Sequence, residues 1–287
     1  MPAIDDRRSP PPLIAARDVD FFHGRRRILH SITLDLRPGR HYIVAGPNGA
    51  GKSTLVDILA RLRRPAAGSV TVMGRRQEEY DSREFARMLA LAPQEYRFDF
   101  SFTIREVVSM GRRPYLGRWG VLDDADLRVV DAAIRDAHLD ALADRAVTTL
   151  SGGERRRCVV ARALAQTTPI ILLDEPCAGL DIAQALSLMA LARKRAEDGA
   201  LVVTVSHDLN LAATFGHEII FMKDGRVAAA GPVGEVFTGD IVSRVYDTEA
   251  RISDDAFSGG YSVSFRTGAP PPRDGGGISG KPESSSP

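Results

Sequence analysis

Gly46-Pro47-Asn48-Gly49-Ala50-Gly51-Lys52-Ser53-Thr54 follows the apolar run Tyr42-Ile43-Val44-Ala45 and precedes an amphipathic stretch. The pattern is G-x-x-x-x-G-K-[ST] in the strand-to-helix setting it requires, and it decides the fold class: an α/β core with a phosphate cradle at a helix N-terminus. A triphosphate needs many donors converging on it with no side chains in the way. Gly46, Gly49 and Gly51 can take backbone angles closed to other residues, so successive N–H groups can wrap the anion. Lys52 then reaches the β- and γ-phosphates, and Ser53 places its hydroxyl on Mg²⁺. Leu55, Ile58, Leu59 and Leu62 recur at i, i+3, i+4 and i+7, which predicts a helix packed on a sheet, with Arg61, Arg63 and Arg64 suited to its C-terminal end. Kinases, GTPases, motor ATPases and transporters share this loop, so alone it identifies a nucleotide site and no more.

A second site narrows the field. Leu150-Ser151-Gly152-Gly153-Glu154 precedes Arg155, Arg156 and Arg157 and a helical run through Val159, Val160, Ala163 and Leu164. The S-x-x-E spacing of Ser151 and Glu154 is that of a capping box, which predicts a helix start. Two glycines inside that first turn cost roughly 1 kcal/mol each relative to alanine. Close approach of an anion to bare backbone N–H groups accounts for them.

Downstream, Pro169-Ile170-Ile171-Leu172-Leu173-Asp174-Glu175-Pro176 is a continuous apolar run ending in two acids. It predicts a strand buried on both faces, central in a parallel sheet, with carboxylates at its carboxyl end and Pro176 stopping it. Asp174 can hold the water shell of Mg²⁺, and Glu175 can polarise the water that attacks the γ-phosphorus. A further strand, Leu201-Val202-Val203-Thr204-Val205, leads into Ser206-His207-Asp208 and puts an imidazole at the same sheet edge, placed to sense the γ-phosphate.

With these residues in place, roughly residues 13 to 245 resemble the nucleotide-binding subunit of an ABC transporter. The resemblance implies a RecA-like P-loop NTPase core with an antiparallel β subdomain and an inserted α-helical subdomain at about 98–150. It makes Gly46 to Thr54 the Walker A loop, Gln94 in Leu91-Ala92-Pro93-Gln94 the Q-loop glutamine, and Leu150 to Glu154 the signature. Walker B ends at Asp174 with Glu175 as catalytic base, Asp181 in Ala178-Gly179-Leu180-Asp181 is the D-loop aspartate, and His207 is the switch histidine. Mg²⁺ would be met by Ser53, Gln94 and Asp174. The order of these six elements is far more specific than any one of them.

The implied mechanism is a homodimer that sandwiches two ATP molecules head to tail. Each nucleotide lies between the Walker A loop of one copy and Ser151, Gly152 and Gly153 of the other. Gln94 touches the nucleophile region while its loop leads into the helical subdomain. Three departures stand out. An aromatic usually precedes the Gly24 position to stack on adenine; here register gives His23 and ring chemistry gives Phe22, with Phe21 beside them. Position 154 is glutamate where glutamine is also common, and position 177 is Cys177 where threonine or serine is usual.

Composition bounds the rest. A chain of 287 residues, 44% apolar with net charge +1, can bury a substantial core and implies no bulk binding of nucleic acid. Cys158 and Cys177 lack metal-like spacing. The start has no apolar signal core, and no run approaches the roughly 18 apolar residues that span a bilayer, so the membrane part is expected on another chain. Residues 1–12, with Ser9-Pro10-Pro11-Pro12, read as a flexible lead, and 267–287, rich in proline, glycine and serine, as a disordered tail. Asp124 to Ala143 carries Leu127, Val130, Ile134, Ala137 and Leu139 in helical spacing. In the extension 246–266, Tyr261-Ser262-Val263-Ser264-Phe265 alternates like a strand, which leaves open an extra lobe or a segment lying along the core.

Gly111-Arg112-Arg113-Pro114-Tyr115, Trp119-Gly120 and His207-Asp208-Leu209-Asn210-Leu211-Ala212-Ala213 look like the ATPases of iron-siderophore, haem and cobalamin importers. That resemblance implies a homodimer peripheral to the cytoplasmic face of the inner membrane, two permease subunits and, indirectly, a substrate-binding protein. Phe98, Phe100, Phe102, Arg112, Arg113, Tyr115 and Trp119 either meet the permease or pack the subdomain internally. An exporter ATPase and a non-transport ABC ATPase of DNA repair or translation are the rivals. The latter calls for a coiled-coil insertion or a tandem cassette. A small-molecule kinase would use the Walker A loop without needing the signature or His207.

Overall fold

Strands and helices alternate through much of the chain, and continuous apolar runs become strands covered on both faces. The computed structural model describes residues 10–96, 100–117, 120–257 and 259–266. In chain order the first half runs β1 (Ile14–His23), β2 (Arg26–Leu36), β3 (Arg40–Ala45), α1 (Lys52–Leu59), β4 (Ala67–Val72), β5 (Arg75–Arg76), α2 (Ser82–Met88), β6 (Leu89–Ala92), α3 (Ile104–Ser109) and α4 (Asp124–Asp136). The second half runs α5 (Gly152–Ala165), β7 (Ile170–Asp174), α6 (Ile182–Glu197), β8 (Leu201–Val205), α7 (Leu209–Phe215), β9 (Glu218–Lys223), β10 (Arg226–Pro232), α8 (Val233–Val236), α9 (Gly239–Tyr246), β11 (Ala250–Asp255) and β12 (Gly260–Phe265).

Among the described residues these strands form three sheets. The main one has the order β10-β9-β3-β8-β7-β6, parallel except for β10, and the others are β2-β1-β4-β5, antiparallel, and the hairpin β11-β12. Every residue of β7 and β8 is buried, as strands covered on both faces require. The sheet order matters more than any one strand. It sets β3, β8, β7 and β6 side by side and pointing the same way, so the loops leaving their carboxyl ends share one edge. β7 lies inside the parallel sheet, between β8 and the edge strand β6, as the apolar run suggests, and it ends at Asp174, where Glu175 takes a left-handed φ of 50°.

Helix ends are where the structure departs most from the periodic pattern. α1 stops at Leu59, capped by Ala60, and Arg61 turns the chain with φ 59°. Leu55, Ile58 and Leu59 are buried, but Leu62 falls beyond the turn and is exposed. Arg61 and Arg63 therefore do not sit in the last turn; they lie over the rings of Phe85 and Phe21. Likewise the helix expected over Asp124 to Ala143 ends at Asp136, with His138 left-handed at φ 52°. Val130, Ile134, Ala137 and Leu139 are buried, whereas Leu127 is exposed.

α3, α4 and α5 bury a common cluster that includes Val107, Val130, Ile134 and Val160. Gly111 fits there because a Cβ would stand 2.4 Å from the Arg162 carbonyl oxygen of α5. The aromatic and arginine set divides. Arg112 is buried, paired with Asp126 at 2.8 Å and stacked 4.1 Å from the centre of the Tyr115 ring, so these two pack internally. Phe100, Phe102 and Arg113 are exposed, while Phe98 and Trp119 lie outside the described residues. The C-terminal hairpin lies along the core: Tyr261 packs on Phe237, and the Val263 amide donates to Asn210 Oδ1 at 3.0 Å. No described helix is long and apolar enough to cross a membrane.

His41, on β3, is a buried polar residue that the apolar pattern around it conceals. Its Nδ1 lies 3.0 Å from the Phe215 carbonyl oxygen and its Nε2 2.8 Å from Thr204 Oγ1, so the neutral ring, donating from Nδ1 and accepting at Nε2, satisfies both. Burial pushes its pKa down to about 3. The unfolded histidine takes up a proton near pH 6.5, so stability is full above that pH and declines as pH falls from there towards 3. His41→Gln should flatten the dependence of unfolding free energy on pH between about 6 and 4 by up to about 1.4 kcal/mol per pH unit. Urea unfolding of both proteins across that range measures it, and parallel slopes would contradict it. Asp174, raised to about 6 by burial, acts in the opposite sense over part of that range in both proteins.

Candidate nucleotide site

The loop leaving β3 packs so closely on the neighbouring strand that only glycine fits at its start. A Cβ on Gly46, at φ 149°, would stand 2.1 Å from the Met222 carbonyl oxygen of β9. Gly51, at φ 96°, is the N-cap of α1, and a Cβ there would meet Leu29 at 2.7 Å. Ala50 is buried, and its carbonyl accepts from the Gly225 amide at 3.2 Å. Lys52 is buried with its Nζ donating to the carbonyls of Gly46 and Pro47 at 2.8 and 2.9 Å. Burial pushes this ammonium down from its ordinary pKa, and the carboxylates of Glu175 and Asp174 oppose that.

Three further loops arrive at the same edge. From β7 come Asp174, whose Oδ1 accepts from Ser53 Oγ at 3.3 Å, and Glu175. From β8 comes His207, with Nε2 2.5 Å from Glu175 Oε1. From β6 comes Gln94, whose Nε2 donates to Glu175 Oε2 at 2.9 Å. One carboxylate is thus held from both sides. A cavity of about 410 Å³ is lined by Asn48, Gly49, Gly51, Lys52, Ser53, Thr54, Gln94, Glu175 and His207, with Arg26 and Ile28 closing it. Chemically this is backbone donors and a lysine for an anion, oxygen donors for a hard cation, and a carboxylate aimed into the space between them.

Arg26 and Ile28 were not expected from the motifs, although the two-residue period of β2 puts them on one face. Phe21, Phe22 and His23 do not line the cavity. The Phe21 ring faces Arg63 at 5.6 Å, the Phe22 ring faces Arg27 at 5.9 Å, and His23 is exposed, directly across the strand pair from Arg26.

Ser151, Gly152, Gly153 and Glu154 also lie outside that cavity. Ser151 caps α5 and the capping box is complete: Ser151 Oγ accepts from the Glu154 amide at 3.2 Å and Glu154 Oε2 from the Ser151 amide at 2.8 Å. The two glycines differ. A Cβ on Gly153 would crowd Leu180 at 3.1 Å, so packing against the Gly179-Leu180-Asp181 turn explains it. A Cβ on Gly152 would meet nothing within 4 Å. Its bareness has no explanation inside the chain. Asp181, exposed nearby, caps α6 by accepting from the Gln184 amide at 2.8 Å.

The chain is similar in sequence and in fold to proteins of one family. A family model described as ABC transporter matches residues 29–178. The hemin import ATP-binding protein HmuV of Thermobifida fusca is 42% identical over 243 residues, 84% of each chain. The iron(3+)-hydroxamate import ATP-binding protein FhuC of Bacillus subtilis is 36% identical over 234 residues, 81% of this chain and 87% of that one. A solved dimeric bacterial ABC transporter cassette superposes with a TM-score of 0.70 at 29% identity, covering 77% of this chain and 98% of the other.

Proposed function

The chain belongs to the ABC transporter family of ATPases, and from that premise we propose that it is the ATP-hydrolysing subunit of an importer, energising uptake of a metal chelate of the iron-siderophore, haem or cobalamin type through a separate permease. The observation that carries the ATPase part is the meeting of Gln94, Glu175 and His207 with Lys52 and Ser53 at one edge of four adjacent parallel strands. Support for import and for the cargo class comes from relatives named for hemin and iron(3+)-hydroxamate import.

In this reading the loop 46–54 binds the triphosphate through its N–H groups, and Lys52 leaves the carbonyls of Gly46 and Pro47 for the β- and γ-phosphates. Ser53 and Asp174 present oxygens 3.3 Å apart, a donor set that fits Mg²⁺, with Gln94 beside them. Mg²⁺ would supply charge neutralisation on the phosphate oxygens. Glu175 accepts the proton of the attacking water, and His207 and Gln94 orient its carboxylate and meet the γ-phosphate region. His23, across from the cavity-lining Arg26, is assigned to the adenine face, with Phe22 and Phe21 as the alternatives.

Ser151, Gly152 and Gly153, with the D-loop Asp181 beside them, complete the site of a second copy. Gly152 is bare so that a γ-phosphate can reach the N-terminus of α5. The domain reading follows: 13–245 as the nucleotide-binding unit, 246–266 as an extension along it. The subunit is placed at the cytoplasmic face of the inner membrane, on permease subunits that also serve a substrate-binding protein.

Tagged Glu175→Gln, expressed in its native host and recovered with ATP from gently solubilised membranes, should bring down a polytopic permease identifiable by mass spectrometry. Reproducible recovery of ribosomal or nucleic-acid-bound partners instead would contradict the transport role.

A further inference from the structure

Three consecutive arginines follow the capping box of α5, and the helix's 100° step sends each to a different place. Arg155 donates to the Leu150 carbonyl at 3.4 Å. Arg157 donates to the carbonyls of Ala137 and His138 at 3.1 and 2.8 Å, which ties α5 to the end of α4. Arg156 turns instead to the loop leaving β6, where its Nη1 donates to the Pro93 carbonyl at 3.3 Å and to the Gln94 carbonyl. Arg162, further along α5, stacks 4.4 Å from the centre of the Tyr96 ring. The signature helix is therefore fastened to the Gln94 loop at two points.

This fastening bears on chemistry. β6 is the edge strand and ends at Ala92, so no strand ladder holds the backbone of Pro93 and Gln94. Both bonds leave one terminal nitrogen of the guanidinium, Nη1, whose two N–H groups reach the two successive carbonyls. Gln94, held by its backbone, places its amide on Glu175 Oε2 at 2.9 Å.

We infer that Arg156 is a positioning residue for hydrolysis: by gripping the backbone of Gln94 it keeps the Gln94 amide on the Glu175 carboxylate, and it makes that hold follow the helix that begins at Ser151. The inference rests on the ATPase reading above. Its consequence is directional. A nucleotide engaging Ser151 to Gly153 of one copy moves the helix that sets Glu175 in that copy's own site, so each site reports on the other.

The test is a double-mutant cycle between Arg156→Met, which keeps the apolar stem and removes the donors, and Gln94→Ala. Steady-state hydrolysis, equilibrium binding of Mg·ATP and the thermal midpoint are measured for each protein. Arg156→Met should lower kcat by about tenfold to a hundredfold with KM and ATP affinity nearly unchanged. Arg156→Lys, which keeps a cationic donor for these carbonyls, should recover most of the loss. Added to Gln94→Ala, Arg156→Met should cost nothing further, since the backbone carbonyl it grips remains but the side-chain amide that the grip positions is already gone. Should Arg156→Met not fold, Arg156→Gln takes its place in the same cycle. Parental kcat in the variant would overturn the inference, as would a loss that adds in full to that of Gln94→Ala or that merely tracks the thermal midpoint. A parent that hydrolyses no ATP would overturn the ATPase reading itself, and this inference with it.

Discussion

Glu175→Gln is expected to lower ATP turnover by a factor of about 10² to 10⁴ while leaving ATP binding intact, and to turn the chain into a dimer that persists as long as ATP is present. The substitution keeps the shape of the side chain between Gln94 and His207, which lie 2.9 and 2.5 Å from the two carboxylate oxygens; one end becomes an NH2 donor, so one of these contacts reverses direction, and the capacity to take a proton from water is lost. Residue 175 holds a left-handed φ of 50°, with its amide donating to the Val205 carbonyl at 3.2 Å, so the backbone that aims the side chain is anchored independently of its charge. Nucleotide binding rests on the loop 46–54 and should survive. Light scattering on a sizing column, with and without Mg·ATP, reads the assembly directly. Rapid turnover by this variant would remove Glu175 from its assigned role.

Gly152→Asp is expected to split stability from activity. Position 152 is the first residue of α5, its Cβ would meet nothing within 4 Å, and its φ is not in the left-handed region. Replacing glycine there and adding an acid at a helix N-terminus should raise stability by about 0.5–1 kcal/mol. The same carboxylate would face the γ-phosphate of a second copy's nucleotide, so ATP-driven dimerisation and hydrolysis should fall by at least about a hundredfold. Gly153→Ala offers the contrast, because its Cβ presses on Leu180 at 3.1 Å and disturbs packing first. Thermal melting and ATPase rate, measured on the same preparations, decide between them. A Gly152→Asp protein that melts higher and still hydrolyses ATP at the parental rate would show that nothing approaches α5 there.

What could be read in the sequence was local. The loop 46–54 announces itself because its glycines, lysine and serine act within nine residues, and the capping box of Ser151 and Glu154 is one turn of helix. The buried runs ending at Asp174 and Val205 are apolar throughout because both faces are covered. What could not be read depends on where separate elements come to rest. Leu62 and Leu127 fit an apolar stripe, yet Arg61 turns the chain before Leu62, and Leu127 opens towards solvent near the start of α4. The strand order β3-β8-β7-β6, which unites Gln94, Glu175 and His207, is a property of the whole sheet. Arg26 carried a period-two signal beside Ile28, but its facing the loop 46–54 is tertiary. Arg155, Arg156 and Arg157 are equivalent as letters; only the phase of α5 against the Gln94 loop separates them.

On the function proposed above, the nucleotide site is completed by a second copy of the chain. Mixing two inactive variants decides the point: Lys52→Ala, which lacks the phosphate-binding lysine, and Gly152→Asp, which lacks an accessible signature. In a mixed dimer one site inherits both defects and the other inherits neither. ATP hydrolysis measured across mixing ratios should therefore recover from two silent parents and peak when they are equal. No recovery at any ratio, with mixed dimers shown to form, would mean that Lys52 and Gly152 do not serve one nucleotide from opposite chains.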